Sequence, residues 1–228
     1  MEKIKLIVIA VLLTVTNHIS AQEAKCCFSY SDFVNNVWTP IGKIYIEENT
    51  KAYKSWCGGN DYSFTTLNPA MDKKLKKDVF MLIYQDSLYV NCCNLRLGKR
   101  SLGKGYARAY RFRDNEIVFV TSRVGKMSNQ NATLASVAAQ MAVGIAGAVL
   151  VANSLYNDKD AVCYLVTDDA ETSKKGKIAI HMMDTHTMEY MLIGSDHYDE
   201  YYVEEEKMER ESAEYTMNFI KRIGWLKE

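Results

Sequence analysis

Between Val79 and Thr121 the chain passes through four apolar or alternating stretches, joined two by two across the short turns Gln85-Asp86 and Asp114-Asn115. Connections this short join only neighbouring antiparallel strands, so this stretch constrains the fold more than any other. Val79 to Tyr84 is uninterrupted apolar sequence, the pattern of a central strand buried on both faces. In Ser87 to Cys92, the residues Leu88, Val90 and Cys92 share one face. Tyr106 to Phe112 alternates small or aromatic residues with Arg, and Glu116 to Thr121 returns beside it.

Further strands are expected at Lys43 to Glu47, Tyr62 to Thr66, Ala161 to Thr167 and Lys177 to Met182, with Thr39-Pro40-Ile41-Gly42 read as a break. Helix signals lie around them. Ser31 reads as the N-cap of a short turn through Asn36, and Asn68-Pro69 opens a helix to about Lys77. Asp184 caps Thr185 to Ile193 with Gly194 as its stop, and Ser195 caps a long acidic helix carrying Tyr198, Tyr201 and Tyr202, which are expected to pack on the sheet. Tyr215, Phe219, Ile220 and Ile223 form a last helical stripe ended by Gly224. The expected fold is α+β: a largely antiparallel sheet of about seven strands, an Ala/Gly-rich helical insertion and a helical C-terminal third.

That insertion, residues 129–156, centres on Ala132 to Ala152, which has no charge and holds eight alanines and two glycines. Ala135, Ala139, Ala142 and Ala146 make an all-small helix face suited to close contact with a partner helix or a membrane surface. Its length would permit a span of roughly 20 residues. However, strands expected on either side need to pair in one sheet, so a crossing is not expected.

The chain starts with Met1-Glu2-Lys3-Ile4-Lys5, continues in the apolar run Leu6 to Leu13, and reaches Ile19-Ser20-Ala21 before Gln22. That order is a cleavable export signal over residues 1–21, leaving residues 22–228 as a single domain. With only two prolines and no Ser-rich linker, nothing divides it. Export places the chain in the periplasm or cell envelope, where the even set Cys26, Cys27, Cys57, Cys92, Cys93 and Cys163 permits disulfides, with Cys92 or Cys163 expected in one.

A net charge of +0 excludes a global pull on nucleic acid or anionic lipid. The charge is nonetheless segregated. Arg96 to Lys126 has nine basic residues against two acidic ones, and Asp184 to Glu211 has ten acidic against two basic. Either these faces neutralise one another within the fold or are simply solvated, or they support head-to-tail self-association or an acidic ligand at the basic stretch. Self-association or an envelope protein partner is the expected contact.

Motifs for chemistry are sparse. Gly98 to Gly105 lacks the order of a phosphate loop and reads as a basic turn; no nucleophile elbow occurs. His181, Asp184 and His186 form the best metal-like or catalytic group, without zincin spacing. No cofactor is expected.

Ser31 to Trp38, Val79-Phe80, Tyr89 to Arg96, Gly103 to Ala107, the small-residue segment and Val162 to Val166 together give the chain its likeness. On these parts it resembles an uncharacterised family of exported proteins from Gram-negative gut bacteria, a domain of unknown function. The resemblance implies an exported location and transfers no catalytic residue. Asp86-Ser87-Leu88 also resembles the O-glycosylation signal of such bacteria, with Ser87 as acceptor. The expected function is a non-enzymatic interaction or binding module that uses residues 132–152 to contact a partner or membrane. The alternative is a small exported hydrolase or metal-dependent enzyme centred on His181, Asp184 and His186.

Overall fold

The computed structural model describes residues 23–50, 53–54, 60–113, 115–122, 161–167, 177–203, 210 and 212–227. Strand β1 (Ala24–Cys27) leads into helix α1 (Tyr30–Val34). The Ser29 hydroxyl accepts from the Asp32 N–H at 3.0 Å, and the Asp32 carboxylate accepts from the Ser29 N–H at 3.0 Å. This reciprocal capping box starts the helix at Ser29, not at Ser31. Next come β2 (Thr39–Gly42), β3 (Tyr45–Glu48) and β4 (Tyr62–Thr65). Asn68 caps α2 (Pro69–Lys77), accepting from the Ala70 N–H at 2.9 Å. Strands β5 (Met81–Tyr84) and β6 (Ser87–Asn91) turn on Gln85 and Asp86, both at positive φ, 49° and 56°, as a primed two-residue hairpin turn requires.

A 3-10 turn at Cys92–Asn94 feeds β7 (Leu95–Leu97) and β8 (Arg100–Ser101), followed by the longer β9 (Tyr106–Phe112) and β10 (Glu116–Ser122). Beyond residue 160 lie β11 (Ala161–Val166), β12 (Ile178–Ala179) and β13 (His181–Met182). Helices α3 (Thr185–Leu192), α4 (Tyr198–Val203) and α5 (Ala213–Arg222) follow, and β14 (Leu226–Lys227) comes last.

Eleven strands join in one sheet, ordered β13-β11-β10-β9-β6-β5-β1-β2, with β14 and β4 attached to β9 and β3 attached to β4. Every recorded pairing in it is antiparallel. Strand β9 is its hub. Ala109 pairs with Leu88 of β6 and with Phe119 of β10, so those strands lie on opposite edges. Where β6 ends, β14 takes over its edge at Phe112; where β10 has diverged, β4 reaches Tyr106 on the other. A separate small sheet holds β12, β7 and β8, with β12 and β7 parallel.

Alternation along the central strands divides the core. Ile117, Phe119, Tyr164 and Val166 pack on one face with Phe33, Phe80 and Val90. Val118, Cys163 and Leu165 pack on the other with Met183, Met188, Tyr201, Phe219 and Ile220. A third cluster, Leu75, Phe64, Tyr89 and Tyr106, lies under α2.

Two parts of the expected architecture are corrected. The sheet has eleven strands where about seven were expected, and sheet dominates over five short α-helices among the described residues. The C-terminal third is not helical, because β11, β12, β13 and β14 all fall within it and the longest of its described helices is the ten-residue α5. The added strands are short and become strands by finding a neighbour. Thr39–Gly42, read from sequence as a break, pairs with β1 at the outer edge of the sheet, where Pro40 leaves no inner ladder bond unmade. The Ala/Gly-rich insertion at 129–156 lies outside the described residues.

Candidate functional site

His181, Asp184 and His186 sit close in sequence at the β13–α3 junction, but their side chains take separate tasks. The Asp184 carboxylate caps α3, accepting from the Thr187 N–H at 2.9 Å. His186 is exposed and faces Glu189 at 3.9 Å. His181 is exposed on β13. Among the described residues no group of three His, Cys, Asp or Glu side chains is placed to hold a metal ion.

Five of the six cysteines are described, and Cys26, Cys27, Cys92, Cys93 and Cys163 are all free thiols. The disulfide expected at Cys92 or Cys163 is therefore not formed here. Those two residues belong to different core clusters, one on each side of the sheet. Burial pushes the Cys26 thiol up to about 11 and the Cys27 thiol up to about 12, and it raises Cys92 and Cys163 further. With no metal bound, such thiols are protonated at neutral pH and are poor nucleophiles. Cys57, Ala135, Ala139, Ala142 and Ala146 lie outside the described residues. Ser87 opens β6, where its hydroxyl accepts from Arg108 Nη2 at 3.2 Å.

The feature that sequence reasoning missed is the outer surface of α3 and α4. Tyr190 is 78% exposed and Ile193 is 69% exposed. Tyr190 lies on α3 and Ile193 is the C-cap residue just past its end, with Gly194 at φ +80° directly after it. Tyr198, also exposed, packs its ring at a tilt against Tyr202, with centres 5.3 Å apart. Acidic residues flank the group along the chain: Asp196 and Asp199 are exposed, while Glu189 and Glu200 are half-buried.

The scaffold beneath is well tied. The Tyr202 hydroxyl donates to the Glu189 carboxylate. Glu200 accepts from Arg222 Nε at 3.0 Å and contacts His197 Nδ1 at 3.1 Å. Tyr201 is fully buried against Phe219, with ring centres 5.1 Å apart, and burial pushes its phenol up to about 12. Of the three tyrosines expected to pack, Tyr201 packs fully, Tyr202 is half-buried and Tyr198 faces outward. The sequence signal for the exposed pair was two apolar residues that fall off the stripe of Met188 and Leu192.

The basic stretch is likewise a surface. Gly98 and Lys99 form the turn between β7 and β8, and Lys99, Arg100, Lys104, Arg108 and Arg113 are exposed. Among the described residues no helix is long and apolar enough to cross a membrane. A family model, described as a family of unknown function (DUF6563), matches residues 25–227. No curated protein and no solved structure matches the chain.

Proposed function

We propose, for a chain that belongs to the DUF6563 family, a non-enzymatic role as an exported envelope or periplasmic interaction module. The observation that supports it most is the exposed apolar pair Tyr190 and Ile193, flanked along the chain by acidic residues. Exposed large apolar side chains grouped with like charges form a recognition surface, the apolar centre supplying affinity and the charges supplying orientation. Its complement is a basic surface, and the chain offers one in Lys99, Arg100 and Lys104. Contact between the acidic face of one copy and the basic face of the next is heterologous, so it builds chains or rings. The small-residue segment 132–152 is proposed as a second contact, to a membrane or a partner helix.

Sedimentation of the purified protein across a concentration series and at two salt concentrations tests the self-association. Association that weakens with salt and falls about tenfold in Tyr190→Ala/Ile193→Ala supports it; a monomer at every concentration defeats it. Export is tested by mass spectrometry of protein recovered from cells: a chain starting at or near Gln22 supports it, and an intact Met1 to Ala21 defeats it. Single cysteines at Ser128 and Asn157, in a background without native cysteines, are both labelled by an impermeant reagent from the periplasmic side if the segment between them does not cross the membrane.

A further inference from the structure

Two methionine sulfurs lie against the Cys163 thiol beneath α5, one from the residue that follows β13 and one from α5 itself. Cys163 Sγ on β11 lies 3.6 Å from Met183 Sδ and 3.6 Å from Met217 Sδ. The backbone sets the first contact, since the Met183 N–H donates to the Cys163 carbonyl at 2.9 Å and continues the pairing of β13 with β11. The second comes from α5, which packs its face across β11. Cys163 and Met183 are fully buried, whereas Met217 is half-buried and marks the way in from solvent. Met188 and Met191 belong to the same hydrophobic cluster, which therefore holds five sulfur side chains.

We propose that Cys163, Met183 and Met217 form a binding site for one soft monovalent cation, copper(I). Thiolate and thioether donors select copper(I) over harder ions. Metal–sulfur bonds of about 2.3 Å in a trigonal plane place the sulfurs roughly 4.0 Å apart. The two 3.6 Å contacts of Cys163 Sγ therefore need to open by only a few tenths of an ångström, and rotation of the flexible methionine side chains sets the third separation. Charge favours the same ion. One thiolate, two neutral thioethers and one monovalent cation sum to zero, whereas a divalent ion would leave an uncompensated charge in an apolar core. On binding, the Cys163 S–H bond breaks, a sulfur–copper bond forms and the proton leaves to solvent. No electron is transferred.

The test is anaerobic titration of the reduced protein with copper(I) in competition with a chromophoric copper(I) chelator. One equivalent should be held at this site, with X-ray absorption showing sulfur-only ligation. Because one proton is released, apparent affinity should rise about tenfold per pH unit through the neutral range. Cys163→Ser should weaken binding by more than about 100-fold, since even outer-shell partners of metal sites are worth about 10–100-fold. The deciding variant is Met183→Leu/Met217→Leu, which leaves every cysteine in place and nearly conserves volume. A loss of about tenfold or more in it supports the site. Wild-type affinity in it shows that copper rides on other thiols and overturns the proposal, as does a wild-type protein that holds no copper(I) or holds zinc(II) as tightly. If the double variant fails to fold, Met217→Leu, at the half-buried position, is read by the same criteria.

Discussion

Around Asn60 the sheet is tied by hydrogen bonds to particular backbone atoms, while under α3 and α5 it is covered by methionine and aromatic side chains that mostly touch without bonding. Asn60 donates from Nδ2 to the carbonyls of Leu102 at 3.2 Å and Lys104 at 3.0 Å, and accepts from the Thr121 hydroxyl. Asn91 and Tyr106 close a similar knot on the Leu75 carbonyl, at 3.0 Å and 2.6 Å. Buried polar knots demand one geometry, because a lost partner leaves a desolvated group behind. Methionine-rich packing accepts many geometries. The side tied by asparagines should thus behave as the rigid frame, and the sulfur-rich side as the surface that adapts to a partner or a ligand.

Alkaline pH should produce the largest effect, because thiols are buried on both sides. The folded values of Cys26 and Cys27, about 11 and about 12, exceed the ordinary value of 9.0. The folded state therefore holds protons that the unfolded state gives up. Their contribution is complete below about pH 9 and is lost as pH rises toward 11 to 12. Thermal melts should show a steep fall across that window, shallower in Cys26→Ala/Cys27→Ala. An unchanged slope in that variant would break the assignment.

Asn60→Ala should come next, at about 3 kcal/mol by denaturant unfolding, since it removes three side-chain hydrogen bonds at once, from the Thr121 hydroxyl and to the Leu102 and Lys104 carbonyls, and leaves the Lys104 carbonyl only its bond from the Asn60 N–H. Gly105→Ala should cost about 2 kcal/mol. Its φ is +88°, and an added Cβ would lie 2.9 Å from the Tyr62 backbone oxygen. On the other side, Met188→Leu should cost less than about 1.5 kcal/mol. A larger loss would mean that the methionine cluster is as exacting as the asparagine knots. Smallest of all, Tyr190→Ala/Ile193→Ala should leave stability within about 0.5 kcal/mol. A clear loss would show that these exposed residues serve the fold and not a partner.

What could be read along the chain was whatever depends on neighbours a few residues away. Asn68 and Asp184 cap their helices because the groups they bond lie two or three positions on, and Gln85-Asp86 turns its hairpin by local backbone geometry. The uninterrupted apolar run at β5 likewise foretold burial on both faces, and Met81 and Leu82 fall in different core clusters. The two-residue strands and the proline-bearing β2 carry too few residues for a period to show, and they are strands only because β1, β7, β9 and β11 present unpaired backbone groups to them. His181, Asp184 and His186 looked like a group because they are adjacent in sequence. Cys163, Met183 and Met217 did not, being spread over fifty-four positions. Strand pairing and helix docking decided both outcomes, since they set which distant side chains share a space and leave no mark on local spacing.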